Sequence, residues 1–185
     1  MKKTHKLLLV CLVLCMVMRA EAQEVKLDGA GRPHDYVQTI LTRSSKIVDA
    51  LDLKDKNAKA NVLTIVCNRY FLINDIEQRY TDETARQAEL YKRHFAFAAD
   101  LANYLTDAQV TEVKDGMTYG VVERTYGAYL EKYPTLKENE KRRIRTWLEE
   151  ARELAIDAGT AKAKHAWFGK YKGRINNWLS KRGYK

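Results

Sequence analysis

The sequence predicts one all-α domain, a helical bundle-like fold of five or six helices closed by a C-terminal antiparallel helical hairpin. Only two prolines occur in 185 residues. Apolar residues recur three and four positions apart through most of the chain, and no stretch sustains the alternation of a strand. There is no repeat of fixed period and no low-complexity run.

The elements follow in chain order. Residues 1–22 read as a secretory signal peptide: Lys2, Lys3 and Lys6 form the positive start, Leu7 to Met18 the apolar run, and Ala20-Glu21-Ala22 the cleavage site before Gln23. That run is too short for a membrane anchor, and Cys11 and Cys15 follow Val10 and Leu14, where a lipidated cysteine would follow a small residue. The expected location is periplasmic or extracellular, with no transmembrane segment in the mature chain. Its 163 residues of the 185 suit one self-supporting domain.

Residues 23–33, with Gly29, Gly31 and Pro33, read as a flexible leader, and 34–185 as the all-α domain. Asp35 with Gln38 resembles a capping box, and Tyr36, Ile40, Ile47, Val48 and Leu51 follow at helical spacing. A second helix over about 55–80 is apolar around much of its circumference, so it belongs in the middle of a bundle. A third runs over about 83–105, and Thr106 with Gln109 caps a short fourth ending near Gly116. Gly116, Gly120 and Gly127 among Tyr119, Tyr126, Tyr129 and Tyr133 predict a loop and then one or two helical turns. Thr135 with Glu138 starts the strongest helix in the chain, Gly159 ends it, and Thr160 caps the last.

Charge is unevenly spread. The net charge of +9 falls to +6 when the signal peptide leaves, and residues 23–157 carry 21 basic against 23 acidic residues. The whole mature excess therefore sits in the tail "KHAWFGKYKGRINNWLSKRGYK" and the few residues before it. On a helical wheel Trp167, Phe168, Tyr171, Ile175, Trp178 and Leu179 share one face, which reads as core, while Gly169 and Gly173 lie opposite, where a neighbouring backbone could approach. Folding the last two helices about Gly159 sets Asp157 against Lys162 and Glu149 against Lys170. At the open end Lys137, Lys141, Arg142, Arg143 and Arg145 come level with Arg174, Lys181, Arg182 and Lys185, a basic pole able to attract a polyanion.

Candidate ligand-binding residues are accordingly Tyr119, Tyr126, Arg142, Arg143, Arg145, Arg174, Lys181 and Arg182. The tyrosines suit stacking against a sugar ring with hydrogen bonds to its hydroxyls, and equally suit bridging between helices. The row Glu149, Glu153, Asp157 reads as solvated surface charge. His34, His94 and His165 lie far apart without a ligand at i+3 or i+4, so no metal and no cofactor is expected. Cys67, the one cysteine outside the signal peptide, reads as a buried inert thiol. No nucleophile motif and no phosphate-cradling loop occurs, so the expected class is not an enzyme. Nucleic acid suits the tail's composition but not an exported protein.

At "VKDGMTYG", "WLEEARELAIDAG" and "KHAWFGKYKGRINNWLSKRGY" the chain resembles the domain-of-unknown-function family 3826, secreted proteins of Bacteroides-type bacteria. The resemblance reaches nearly the whole mature chain, with residues 164–177 as its most specific part. It implies a family often encoded beside polysaccharide-degrading systems and regarded as sugar-binding, and supplies no catalytic residues. After its final aromatic residues the family pattern is more acidic than Lys181, Arg182 and Lys185 here. The expected function is a secreted non-catalytic accessory of polysaccharide use, binding a glycan, with an acidic polysaccharide favoured. The alternative is a periplasmic structural or chaperone-like module with a protein partner.

Overall fold

The computed structural model describes residues 24–184; the expected signal peptide, its cleavage site and Lys185 lie outside these residues. Among the described residues eight helices follow one another: α1 His34–Asp49, α2 Lys56–Arg79, α3 Glu83–Lys92, α4 His94–Ala102, α5 Asp107–Met117, α6 Val121–Lys132, α7 Glu138–Ala155 and α8 Ala161–Ser180. The described residues contain no strand. None of their helices is long and apolar enough to cross a membrane.

The rise from five or six helices to eight has two causes. The expected third helix breaks at Arg93, whose backbone sits at φ −106°, ψ 0° between α3 and α4. The carbonyl freed there accepts a hydrogen bond from Arg69 Nη1 of α2 at 2.9 Å, so a partner distant in sequence supports the break. The expected loop after Gly116 is instead a tight turn followed by all of α6, anchored by the buried Val121, Val122 and Tyr129. Tyr119 and Gly120 take successive left-handed conformations there, φ 60° and 62°. A Cβ on Gly120 would meet nothing within 4 Å. The Gly120→Ala substitution should therefore cost about 1 kcal/mol through backbone strain alone, seen as a lower thermal midpoint.

Several caps also differ. Pro33 precedes α1, and Asp35 lies in its first turn, where it complements the helix dipole instead of capping. Helix α7 starts after Lys137, whose N–H donates to Glu140 at 3.0 Å, so Thr135 is not its cap. The Thr106–Gln109 box and the Thr160 cap stand as read, and Asp55 and Asp82 cap α2 and α3. The leader lies against α2: Val25 N–H donates to Asn61 Oδ1 at 2.9 Å, Asp28 N–H donates to Asn68 Oδ1 at 2.8 Å, and Arg32 clasps Asp75 through two bonds of 2.7 Å.

The apolar interior falls into two main clusters. The first surrounds α2 and joins Ile40, Val66, Phe71, Leu101, Val113 and Met117, as a helix apolar around much of its circumference requires. The second lies among α6, α7 and α8 and joins Val122, Ile144, Leu148, Phe168, Ile175 and Leu179. Helices α7 and α8 form the expected hairpin. Gly169 and Gly173 face open space within a continuous α8, so no backbone approaches them.

Between the clusters runs a charged seam. Asp157 takes a hydrogen bond from Arg69, whose side chain is only 2% exposed, and lies 2.8 Å from His94 Nδ1. Glu153 pairs with Lys114 at 2.6 Å and approaches His94 Nε2 to 3.7 Å, while Arg152 reaches Asp115 at 3.1 Å. Glu153 and Asp157 are thus held in tertiary ion pairs and are not the solvated row expected from their spacing. Lys164, 3% exposed, donates to the carbonyls of Ala155 and Ile156 at 3.1 and 3.4 Å, closing the end of α7. Burial depresses its ammonium to about pKa 8. Cys67 is a free, buried thiol pushed up by burial.

Candidate functional site

The hairpin carries all three tryptophans, Trp147, Trp167 and Trp178, each half-buried. Its register is displaced from the one read off the turn. Trp147 meets Trp178 edge to face at 5.4 Å, Glu150 meets Arg174 at 3.5 Å and Glu140 meets the Tyr184 hydroxyl at 2.7 Å. Helical side chains lean toward their own N-terminus, away from the turn on α7 and toward it on α8, so level partners lie further along both helices. The expected pairs Asp157–Lys162 and Glu149–Lys170 therefore do not form; Glu149 pairs with Arg145 at 3.0 Å within α7.

This register rearranges the basic pole. Arg143 and Arg174 stack over Trp147, with guanidinium carbons 5.5 and 5.3 Å from a ring centroid, and Arg182 stacks over Trp178 at 4.1 Å. Arg145 lies over Tyr126 at 5.1 Å and bonds Glu123 at 2.5 Å, and Arg182 reaches Glu140 at 3.7 Å. Arg142 and Lys181 are exposed. The structure thus joins Arg143 to Arg174 and Tyr126 to Arg145. Tyr119 lies apart from both groups, stacked on His165 at 5.6 Å near the turn end of α8. Tyr129 is a helix bridge, its hydroxyl donating to Asn176 Oδ1 at 2.8 Å.

A concave surface lies beside the pole; of the candidate ligand-binding residues read from the sequence it takes in Arg174 alone, together with Trp167 and Tyr171, which read as core. One depression of about 340 Å³ opens between α3 and the hairpin, walled by Glu77, Glu83, Arg86, Leu90, Asp157 and Trp167. A second of about 330 Å³ continues along the hairpin past Glu150, Tyr171 and Arg174. Leu154, Trp167 and Lys170 belong to both walls, so the two form one cleft centred on them. The Lys170 ammonium sits 5.1 Å from a Trp167 ring centroid. Burial, aided by the Glu150 carboxylate, raises Tyr171 to about pKa 12, keeping it a neutral hydroxyl donor.

The carboxylates of the cleft are mostly committed. Glu77 accepts the Gly159 N–H at 3.0 Å, Asp157 serves the seam, and Glu150 pairs with Arg174. A Cβ on Gly159 would overlap Glu77, which explains a glycine at this corner. Among the described residues no group of three or more His, Cys, Asp or Glu could hold a metal ion. What the arrangement offers is an aromatic face ringed by cations and hydrogen-bonding groups.

Every residue walling this cleft falls at or after Glu77, and a family model matches residues 77–185, more than half of the chain. The chain belongs to DUF3826, a family of proteins of unknown function. The match begins inside α2 and leaves out the leader and α1, a shorter reach than the near-complete mature chain expected from the resemblance. No curated protein matches the chain. The DUF3826 segment thus holds the second apolar cluster, nearly all of the seam and the whole cleft; Arg69 is the seam residue outside it.

Proposed function

We propose that the chain is an exported, non-catalytic glycan-binding protein, an accessory of polysaccharide use, with an acidic polysaccharide as its preferred ligand class. The supporting observation is the half-buried Trp167 ring at the centre of the cleft, with Lys170 over one ring and Arg174 and Arg86 on the walls. The C–H face of a sugar packs against such a ring, and a uronate carboxylate finds cations beside it. Export rests on the N-terminal pattern of positive start, apolar run and small-residue cleavage site.

Calorimetric titration with oligogalacturonate and with neutral glycans, at low and high salt, tests this reading. The expected result is oligogalacturonate binding that weakens with salt and loses at least about tenfold in affinity in Trp167→Ala. Silence with every acidic and neutral glycan at both salt levels would sink it. A second reading, a structural or chaperone-like protein-interaction module, draws on Tyr91 and Phe95, which leave 68% and 66% of their surfaces in solvent. They meet edge to face at 6.0 Å on α3 and α4.

A further inference from the structure

A different cleft, about 490 Å³ in volume, lies on the other side of Arg69, between the docked leader, α2 and α4. Its apolar lining includes Ile65, Leu72 and the largely buried Phe97. Its polar groups include Asp28, Asn68, Arg93, Asp100 and Asn103. This size and mixture suit a small ligand packed on an apolar floor and oriented by a few polar groups.

Arg69 makes the cleft more than a crevice. Its guanidinium is committed at both ends, Nη1 to the Arg93 carbonyl and Nη2 to Asp157. Its Nε–H is buried with no acceptor among the described residues. A buried donor left unpaired is costly, and because Arg69 is one of the residues lining the cleft, an acceptor seated there would relieve it once the side chain turns toward it.

The charges narrow the ligand class. Asp28 and Asp100 on the lining disfavour an anion, and Arg69 and Arg93 disfavour a cation. A hydroxyl serves both kinds of group, because it accepts from Arg69 or an amide while donating to a carboxylate. We propose that this cleft is a second binding site, for a small neutral polyhydroxyl compound of about monosaccharide size, whose hydroxyls meet Arg69, Asp100 and Asn103 while its C–H face rests on Phe97. The site stands independently of the Trp167 cleft.

The test is a nitrogen–proton NMR titration of the full mature chain with glucose, galactose, xylose and myo-inositol, each to about 50 mM, a range that reveals even weak specific binding. The expected result is a saturable shift of the Arg69 Nε–H and the Asn103 side-chain amide with at least one of the four. Asp100→Ala should weaken that response about tenfold or more, and Trp167→Ala should leave it unchanged. Asp100 and Asn103 are exposed, so truncating either keeps the fold, which the same spectra verify. No Arg69 Nε–H shift with any of the four compounds overturns the proposal. So does a response that neither Asp100→Ala nor Asn103→Ala weakens. Shifts confined to the surroundings of Trp167 would also overturn it, while leaving the reading of that cleft intact.

Discussion

Arg69→Ala is expected to lower the free energy of unfolding by about 3 kcal/mol, the scale for breaking a buried ion pair from one side. The side chain is 2% exposed, so its removal strands Asp157 in a low-dielectric seam with His94 as its remaining close partner. It also removes the donor that satisfies the Arg93 carbonyl at the break between α3 and α4, and the guanidinium that lies 5.5 Å from the Phe97 ring. The measurement is urea unfolding, with a lower midpoint at unchanged slope. A loss under about 1 kcal/mol would show that the seam is not what joins the two apolar clusters. Asp157→Asn, which keeps the shape and removes the charge, should fall between the variant and the parent.

The second large effect is a maximum of stability in alkaline solution. Lys164 titrates near pKa 8 in the folded chain against 10.5 unfolded, chiefly because burial disfavours its charge. Asp157 and Glu77 oppose that shift, and Arg43 and Arg69 reinforce it. Between those two values the unfolded chain binds more protons than the folded one, so stability rises with pH across that window, by at most roughly 3 kcal/mol from this group. Tyr70, Tyr129 and Tyr171 act in the opposite sense. Burial raises each to about 12, so the stability they contribute is present below their unfolded value of 10 and is lost as pH climbs toward 12. Unfolding free energy should therefore climb above pH 8, peak near pH 10 and then fall. In Lys164→Met the climb should vanish, because the titrating group is gone, while at pH 7 relief of the buried charge is offset by loss of the donor to the Ala155 and Ile156 carbonyls. A parent curve flat from pH 8 to 10 would refute this account of Lys164.

Both predictions depend on residues whose importance their local sequence does not announce. Arg69 sits in a helix that is apolar around much of its circumference, and Asp157 ends a row of acids at regular spacing that looks like any solvated helix face. What gives them a role is the packing of α2 and α4 against the end of α7, contacts between residues 24 to 88 positions apart. His94 has no partner at helical spacing and gains two carboxylates only in three dimensions. The Trp167 cleft was half legible. The aromatic and basic residues of α8 stood out in sequence, but the opposite wall from α3 could not be foreseen, because nothing local says which helices become neighbours.

The sequence by itself determined the all-α class, the central place of α2, the hairpin of α7 and α8, the buried thiol of Cys67 and the caps at Thr106 and Thr160. These follow from periodicity and short-range hydrogen bonding, which act over three or four residues and can be read directly. The tertiary structure decided the break at Arg93, the full length of α6, the register of the hairpin and the split of the interior into two clusters joined by charge. It also decided that Trp167 stays half-open beside a cleft. Each of these turns on which distant side chain arrives as a partner: a carbonyl released at Arg93 is tolerable only because Arg69 reaches it, and the carboxyl of Asp157 is accommodated in the seam only because Arg69 and His94 meet it there.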